Sequence, residues 1–327
     1  MKDEKIMKKT LLKDIAETLG LSISQVSRAL NHQGYVSGDT RNQVMRMAKK
    51  MKYRNLSCRH RKRFAVLTGY FCDFDVHILN QILLESERMK FSFSVIPFGN
   101  FSQLNDQFFD GAVLISKNPE QTKFCEKFRM PLVVINQYGI PLENIASVFP
   151  DADHEVRTAM MHFLKLGHKK IARIHPEWKK LTKKELSRGT DEFYRIAEEN
   201  GIRDQVCSLC VESQEKVIEE ILRLADEGFT AFLVVISNCS PRLLQAVRKR
   251  GLRIPEDISV ITYEYNNSAY QEPPLTTIKF NYEQLVRKAI EQLKKEISGK
   301  KNVPEIQIPC KLNIRNSTAA PPRKRKK

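Results

Sequence analysis

The stretch LLKDIAETLGLSISQVSRALNHQGYVSGDTRNQVMRMAKKMKYR, Leu11 to Arg54, carries three successive apolar periods at helical spacing. Leu12, Ile15, Ala16 and Leu19 share one face of a first helix, which Thr10 is placed to cap and Gly20 to end. Ser22 opens a second helix. With Gln25 it has the S-x-x-Q form of a capping box, and Val26, Ala29 and Leu30 supply the buried face. A tight glycine turn between two short helices, with the small Ala16 where they approach, predicts a helix-turn-helix. A third helix, capped by Ser37, turns Val44, Met47, Ala48 and Met51 inward and carries Arg41, Arg46, Lys49, Lys50 and Lys52 outside.

The charge distribution points the same way. Of the formal +17, residues 1–63 carry 16 Lys/Arg against 5 Asp/Glu, and Arg323 to Lys327 add five positive charges. The remaining residues are nearly balanced, at 34 against 33. A neutral body with a basic head is the electrostatic footprint of nucleic-acid contact through the head. In a helix-turn-helix the N-terminal residues of the second helix meet base edges in the major groove. Here these are Ser22, Ile23, Ser24 and Gln25, with Arg28 one turn on. Gln25 can pair with adenine, Ser24 with any base, and Ile23 can press on a thymine methyl. The alternative for Gln25 is a purely capping role.

Length and composition bound the rest. The 327 residues exceed one hydrophobic core and suit a small domain followed by a two-lobed one. No apolar run approaches the roughly 18 residues of a membrane span, and no apolar signal core follows the N-terminal lysines. A cytoplasmic protein is expected. Seven irregularly spaced cysteines suggest reduced thiols; Cys207 and Cys210 form a lone CxxC inside an apolar run. No nucleophile–base spacing or nucleotide-binding glycine loop stands out, so neither an enzyme nor a bound cofactor is expected.

The head resembles the DNA-binding domain of the lactose-repressor/galactose-repressor family. Ser27-Arg28-Ala29-Leu30-Asn31, then Val36-Ser37, Thr40-Arg41 and Tyr53-Arg54, lie close to that family's signature. The resemblance adds Ser27, Asn31, Tyr35 and Tyr53 to the candidate DNA contacts. It also implies a hinge helix whose leucine wedges into the minor groove, and here the chain departs. Residues 55–63 read Asn-Leu-Ser-Cys-Arg-His-Arg-Lys-Arg, short and cationic, with Leu56 the one candidate wedge. Arg59 and Arg61 are expected to act through phosphate or minor-groove electrostatics instead.

Beyond Arg63, short apolar runs alternate with helical periods, the pattern of parallel βα units. Strands are predicted at 64–70, 91–97, 111–116, 132–136, 147–149, 170–175, 206–211, 231–236 and 259–263, with a last strand near 306–314. Helices are predicted at 76–89, 155–166, 190–200, 216–227, 241–250 and 282–298. Leu166-Gly167-His168, Gly251 to Val260, Pro273 to Ile278 and Ile314 to Thr318 resemble the same family's sensor, which is similar to periplasmic sugar-binding proteins. The expected fold is therefore α/β: an all-α helix-turn-helix head (1–54), a short basic hinge (55–63), and a periplasmic-binding-protein-like sensor of two Rossmann-like, parallel-sheet lobes (64–318). The chain is expected to cross between lobes near His168, Lys279 and Val303, giving a first lobe of about 64–168 and 279–303 and a second of about 169–278 and 304–318. A disordered basic tail, 319–327, follows.

The resemblance puts an effector between the lobes, but its sugar-holding residues match poorly. Its helix-opening arginine falls on Gly189, with Arg188 adjacent; its Asn-Asp pair falls on Ile236-Ser237; its Gly-Phe-Asp-Asp becomes Thr262-Tyr263-Glu264-Tyr265; and Asp151 alone survives of an Asp-Asn pair. Asp73, Phe74, Asp151, Trp178, Arg188, Ser237 and Glu264 are the candidate liners, with Trp178 available for stacking on a ring. These features imply a homodimeric repressor on a pseudo-palindromic operator, controlled by a small molecule such as a sugar or related metabolite. The alternatives are a regulator whose degenerate sensor answers to a protein partner or to nothing, and a stand-alone solute receptor. The basic tail lacks the leucine heptads of a tetramer.

Overall fold

Runs of Val, Ile and Leu with apolar neighbours on both sides can be buried on both faces, which suits parallel strands covered by helices. The computed structural model realises this pattern. It describes residues 10–31, 34–51, 53, 61–69, 73–97, 109–116, 128, 130–136, 145–176, 189–234, 240–264, 267–300 and 305–323.

The head comprises α1 (Leu12–Leu19), α2 (Ile23–Asn31) and α3 (Gly38–Lys50). Ile15, Ala16, Val26, Ala29, Leu30, Val44, Ala48 and Tyr53 form its core. Gly20 ends α1 in the left-handed conformation, φ 63°. Thr10 does not cap that helix: its hydroxyl donates to the Met51 carbonyl at 2.8 Å, tying the start of the head to the end of α3. The orphan amide at Leu11 donates to the Asp14 carboxylate instead, at 2.6 Å. Ser37 caps α3 as expected, accepting from the Thr40 amide.

The first lobe contains β1 (Lys62–Thr68), α4 (Asp73–Met89), β2 (Phe91–Pro97), β3 (Gly111–Ser116), β4 (Leu132–Asn136) and β5 (Ala146–Pro150). The second contains α5 (Ala152–Leu166), β6 (Ile171–Pro176), α6 (Thr190–Glu199), β7 (Val206–Val211), α7 (Gln214–Asp226), β8 (Ala231–Val234), α8 (Ser240–Lys249), β9 (Ser259–Tyr263) and β10 (Thr276–Lys279). The chain then returns for α9 (Tyr282–Ile297) and β11 (Glu305–Ile308), and ends on β12 (Lys311–Asn313). Strand order is β11-β5-β4-β3-β1-β2 in one sheet and β12-β10-β9-β8-β6-β7 in the other. All pairings are parallel except β10 with β12.

In the first lobe Phe64 and Val66 face α4 and α9, while Ala65, Leu67, Ala112, Leu114 and Val134 face the other side. In the second, Ala172, Ile174, Phe232 and Val260 face α7 and α8; Ile171, Leu233 and Ile261 join the helices α5 and α6. No described helix is long and apolar enough to cross a membrane.

Three expectations need correction. The last strand is two strands in different sheets: Pro309-Cys310 interrupts the run, and the chain changes lobe there rather than near Val303. The first crossing lies at Asp151 rather than His168, because α5 packs on α6 and β12. His168 is buried well inside the second lobe, bonded to Thr230, Ser259 and the Ala319 carbonyl. The start of the expected tail is also ordered, since the Ala319 amide donates to Ser259 Oγ at 3.0 Å. Thr276–Lys279, absent from the predicted strands, is β10. Arg54 and residues 55–60 of the hinge lie outside the described residues.

Gly111 shows how tightly α9 seats on the first sheet. A Cβ there would lie 2.9 Å from Leu293 Cδ1 and 3.1 Å from the Pro131 carbonyl. Gly111→Val is therefore expected to cost about 1–3 kcal/mol through overpacking, read as a lower urea midpoint at unchanged slope. An unchanged midpoint would mean that α9 does not press on β3.

Candidate DNA interface and sensor seam

The second helix divides cleanly. Val26, Ala29 and Leu30 are buried, while Ser22, Ile23, Ser24, Gln25 and Arg28 are exposed along the opposite face. The capping box forms: Gln25 N donates to Ser22 Oγ at 3.2 Å, and Ser22 N to Gln25 Oε1 at 2.9 Å. Ser22 Oγ also lies 3.0 Å from Gln25 Oε1. That oxygen is thus engaged by its own helix end, and two-point pairing of Gln25 with adenine would require it to leave Ser22. The side chains left facing outward are Ile23, half of whose surface is accessible, Ser24 and Arg28. Arg28 folds back to the Ser24 carbonyl at 3.3 Å, and its stem crosses Gly34. Gly34 has φ 63°, and a Cβ there would sit 3.1 Å from Arg28 Cδ, so the turn holds the arginine in place.

The other expected DNA contacts separate. Tyr35 is almost fully exposed beside this face, and Ser27 is half-buried. Tyr53 is buried: its ring belongs to the head core, packed with residues of α1, α2 and α3. Asn31 ends α2, with its side chain outside the described residues, as is all of Arg59. Arg61 is exposed and 3.4 Å from Glu87 of α4, a solvent-screened pair that leaves it accessible.

In the sensor, aromatic rings from three segments meet where the lobes join. Phe74, at the start of α4, lies 6.0 Å from Phe280 and 5.8 Å from Tyr282; Tyr263, at the end of β9, lies 5.0 Å from Phe280. His77 stacks on Tyr282 at 4.7 Å, and burial holds its imidazole below the usual value despite nearby Asp73. Phe74 is therefore a core ring of the seam, with 3% of its surface exposed, rather than an open liner. Asp73 is half-buried at the head of α4. Asp151 caps α5, accepting from His154 N at 3.0 Å.

Glu264 is occupied by its own chain: Arg315 donates to it at 2.7 Å, and Thr277 and Asn313 add hydrogen bonds. Burial alone would raise its carboxyl; the Arg315 and Thr277 donors outweigh that and hold it below the usual range. Trp178, Arg188 and Ser237 lie outside the described residues.

The sequence reading missed a buried polar cluster beneath these rings. Arg173, in the middle of β6, is 6% exposed; its guanidinium donates to Thr190 Oγ1 at 2.9 Å and Ser208 Oγ at 3.2 Å, and its Nε has no hydrogen-bond partner. Glu155 of α5 accepts from the Tyr263 hydroxyl at 2.8 Å. Burial pushes the Glu155 carboxyl up to about 8, against the opposing pull of Tyr263 and Arg173. Arginine keeps its proton in such settings, so the cluster carries a positive charge. Gly189, where an arginine was expected, makes room for this one: a Cβ there would lie 3.3 Å from the Arg173 guanidinium, and its φ is +73°.

Among the described residues no group of three His, Cys, Asp or Glu could hold a metal. Cys207 and Cys210, three apart on β7, project to opposite faces. A hollow of about 490 Å³ lies on the outer side of the second lobe, between α8 and Pro273-Pro274, away from the seam.

Residues 11–55 match the bacterial regulatory proteins of the lacI family, and residues 160–318 match the periplasmic binding protein-like domain. The HTH-type transcriptional regulator GanR of Bacillus subtilis (strain 168) is 24% identical over 327 residues, covering 94% of this chain and 98% of that protein. GalR of Streptococcus thermophilus is 24% identical over 330 residues, with 94% and 99% covered. Among solved structures, the Lac repressor dimer bound to operator and an anti-inducer superposes with a TM-score of 0.69 at 22% identity, over 96% of this chain and all of that one. A complex of the transcriptional regulator CelR with cellobiose gives 0.64 at 20%, covering 94% and 100%.

Substituting Ile23 and Ser24 together is expected to change the duplex recovered in a binding-site selection, because both are exposed at the N-terminal end of α2, the end that a helix-turn-helix turns toward base edges. Lys50→Gln is expected to weaken all sequences alike through lost phosphate contact. Gln25→Ala is expected to cost about 1 kcal/mol of head stability by uncapping α2. Recovery of the same preferred sequence by the Ile23/Ser24 variant would refute this docking.

Proposed function

Because the chain belongs to the LacI family of bacterial regulatory proteins, we propose that it is a transcriptional repressor acting as a homodimer in the bacterial cytoplasm. Two α2 helices occupy the half-sites of a pseudo-palindromic operator, and a small polar molecule held between the sensor lobes sets their spacing. The observation that carries this reading is the exposed Ile23–Arg28 face on a basic three-helix head, joined to two parallel-sheet lobes. A two-fold repeat of that head is what reads a palindrome. Nothing in this role calls for catalysis.

The dimer contact is assigned to α4. Val76, Leu83 and Leu84 are 44%, 56% and 64% exposed on one helix, an apolar surface that solvent alone would not favour. The Lac repressor structure it resembles is itself a dimer. Leu83→Glu with Leu84→Glu is expected to give a folded monomer in sedimentation, with operator affinity reduced by about a hundredfold or more, because both half-sites no longer bind as one unit. A dimer persisting in that variant would move the contact elsewhere.

Arg173, Glu155 and Tyr263 are the proposed polar contacts for the effector, in place of the sugar-binding set that the sequence lacks. A hydroxylated ligand, a sugar or sugar derivative, suits paired arginine and carboxyl groups. Arg173→Leu separates folding from sensing. Because burial keeps Glu155 in its neutral form at pH 7, removing the guanidinium leaves no unpaired buried charge behind, so the variant is expected to keep its thermal midpoint while losing any effector-driven change in operator affinity. Operator anisotropy across a panel of monosaccharides and sugar phosphates measures this; an undiminished response would remove Arg173 from the site.

One observation favours a second reading, in which the sensor answers to a protein partner or to nothing. Phe74, Tyr263, Phe280 and Tyr282 pack ring against ring across the seam, and Glu264 is engaged by Arg315. No response to any metabolite, together with tight operator binding, would select it.

A further inference from the structure

A guanidinium carries N–H donors on three nitrogens, and buried Arg173 uses only one of the three. Both of its hydrogen bonds among the described residues leave from Nη1, to Thr190 Oγ1 and Ser208 Oγ. Nε is buried with no acceptor, and Nη2 lies 3.3 Å from where a Cβ of Gly189 would be. Thr190 opens α6, and no side chain caps that helix, because its N-cap is Gly189. The first-turn amides therefore present the positive end of the helix dipole beside the guanidinium.

The carboxyl groups nearby are committed to other donors. Glu155 accepts from the Tyr263 hydroxyl at 2.8 Å, and burial, which pushes it up to about 8, leaves it neutral at pH 7. Asp151 accepts from His154 N at 3.0 Å, and Asp153 from Gly189 N at 2.9 Å. Glu192 is held by Arg157 at 2.8 Å and by Arg195 at 2.7 Å. Arg173 is thus a buried cation whose partners among the described residues are hydroxyls.

We propose that the effector is an acidic sugar derivative whose anionic group, a phosphate ester or a carboxylate, is neutralised by Arg173 at the start of α6. This assignment rests on the ligand-controlled repressor proposed above. A neutral sugar would leave the guanidinium uncompensated, whereas an anion supplies both the counter-charge and acceptors for Nε and Nη2. An amino sugar would bring a like charge. The protein has already desolvated its cation on folding, so that cost does not fall on binding. Neutral Glu155 and the Tyr263 hydroxyl suit the sugar's own hydroxyls without repelling the anion. Tyr263 also packs 5.0 Å from Phe280, so it belongs both to this cluster and to the aromatic contact between the lobes.

The experiment uses the full chain and begins with inorganic phosphate as the probe. Thermal midpoints are compared in sodium phosphate and in sodium chloride of equal ionic strength, for the parent chain, Arg173→Leu and Arg173→Gln. The basic head meets phosphate equally in all three, so the difference between parent and variants reports the sensor. Phosphate at about 50 mM is expected to raise the parent's midpoint by about 2 °C or more over chloride, and that of either variant by less than half as much. An equal rise in parent and variants, or none in the parent, would overturn the proposal. Operator anisotropy is then followed with glucose, galactose and ribose, each beside its phosphate ester and its sugar acid. Half-maximal response is expected at a concentration at least about tenfold lower for an acidic form than for its neutral parent, and the more effective acid identifies the source of the charge. A neutral sugar acting as well as its acidic forms would overturn the assignment. An Arg173-dependent phosphate shift with operator affinity unmoved by every compound would leave the anion site standing and count against ligand control itself.

Discussion

Parallel strands cannot be joined by tight turns, and this constraint organises the molecule. Each strand must be followed by a crossover that returns the chain to the starting edge. Every loop after a strand therefore collects at one end of its sheet, and every strand start at the other. With two such sheets facing each other through their strand ends, the chain crosses at Asp151, at Phe280 and at Pro309-Cys310, and these crossings create the seam. Phe74, Tyr263 and Glu264 stand there because each follows or ends a strand. The head at Lys62 and the tail at Pro321 stand at the outer poles because each adjoins a strand start.

The polar groups placed at that seam carry different costs. Arg315 and Glu264 satisfy one another at 2.7 Å and fasten β12 to β9 and β10, a structural use of two charges. Arg173 is in another position. It displaces an apolar residue from a buried strand, has hydroxyl partners at Thr190 and Ser208, and faces a Glu155 carboxyl whose burial favours the neutral form. A buried guanidinium with an incomplete set of acceptors is destabilising relative to leucine. A function at the seam gives a reason for keeping it.

Much of this was legible in the sequence. Strands β2, β3, β4, β7 and β9 follow short runs rich in apolar residues and lie where those runs predict. The α2 capping box follows from two residues three apart. What was not legible depends on partners distant in the chain. Glu264 reads as a free carboxylate until Arg315, 51 positions later, is folded onto it. Arg173 sits where alternation predicts burial but does not predict residue type. The run 306–314 reads as one strand because Pro309 is a single interruption, whereas the fold uses it to change sheets. Tyr53 matches a DNA-binding signature by position, yet its ring is needed to close a small core.

The helix α4 links these levels. Its first turn holds Phe74 and His77 against the aromatic rings of the seam; its last turns hold Glu87, 3.4 Å from Arg61 at the entrance of the hinge. Between them Ile78 and Ile82 are fully buried against the first sheet, so the helix cannot bend independently of it. Packed helices move as rigid units because interiors are close to crystalline density. Any rearrangement at Phe74 must then tilt or slide the whole ~25 Å rod. The motion arrives both at the exposed Leu83-Leu84 face, the proposed dimer contact, and at Glu87 beside Arg61, where the chain enters the first lobe. A ligand that moved the seam without displacing α4 would leave operator affinity unchanged, since an effector acts only through the difference it makes between two states.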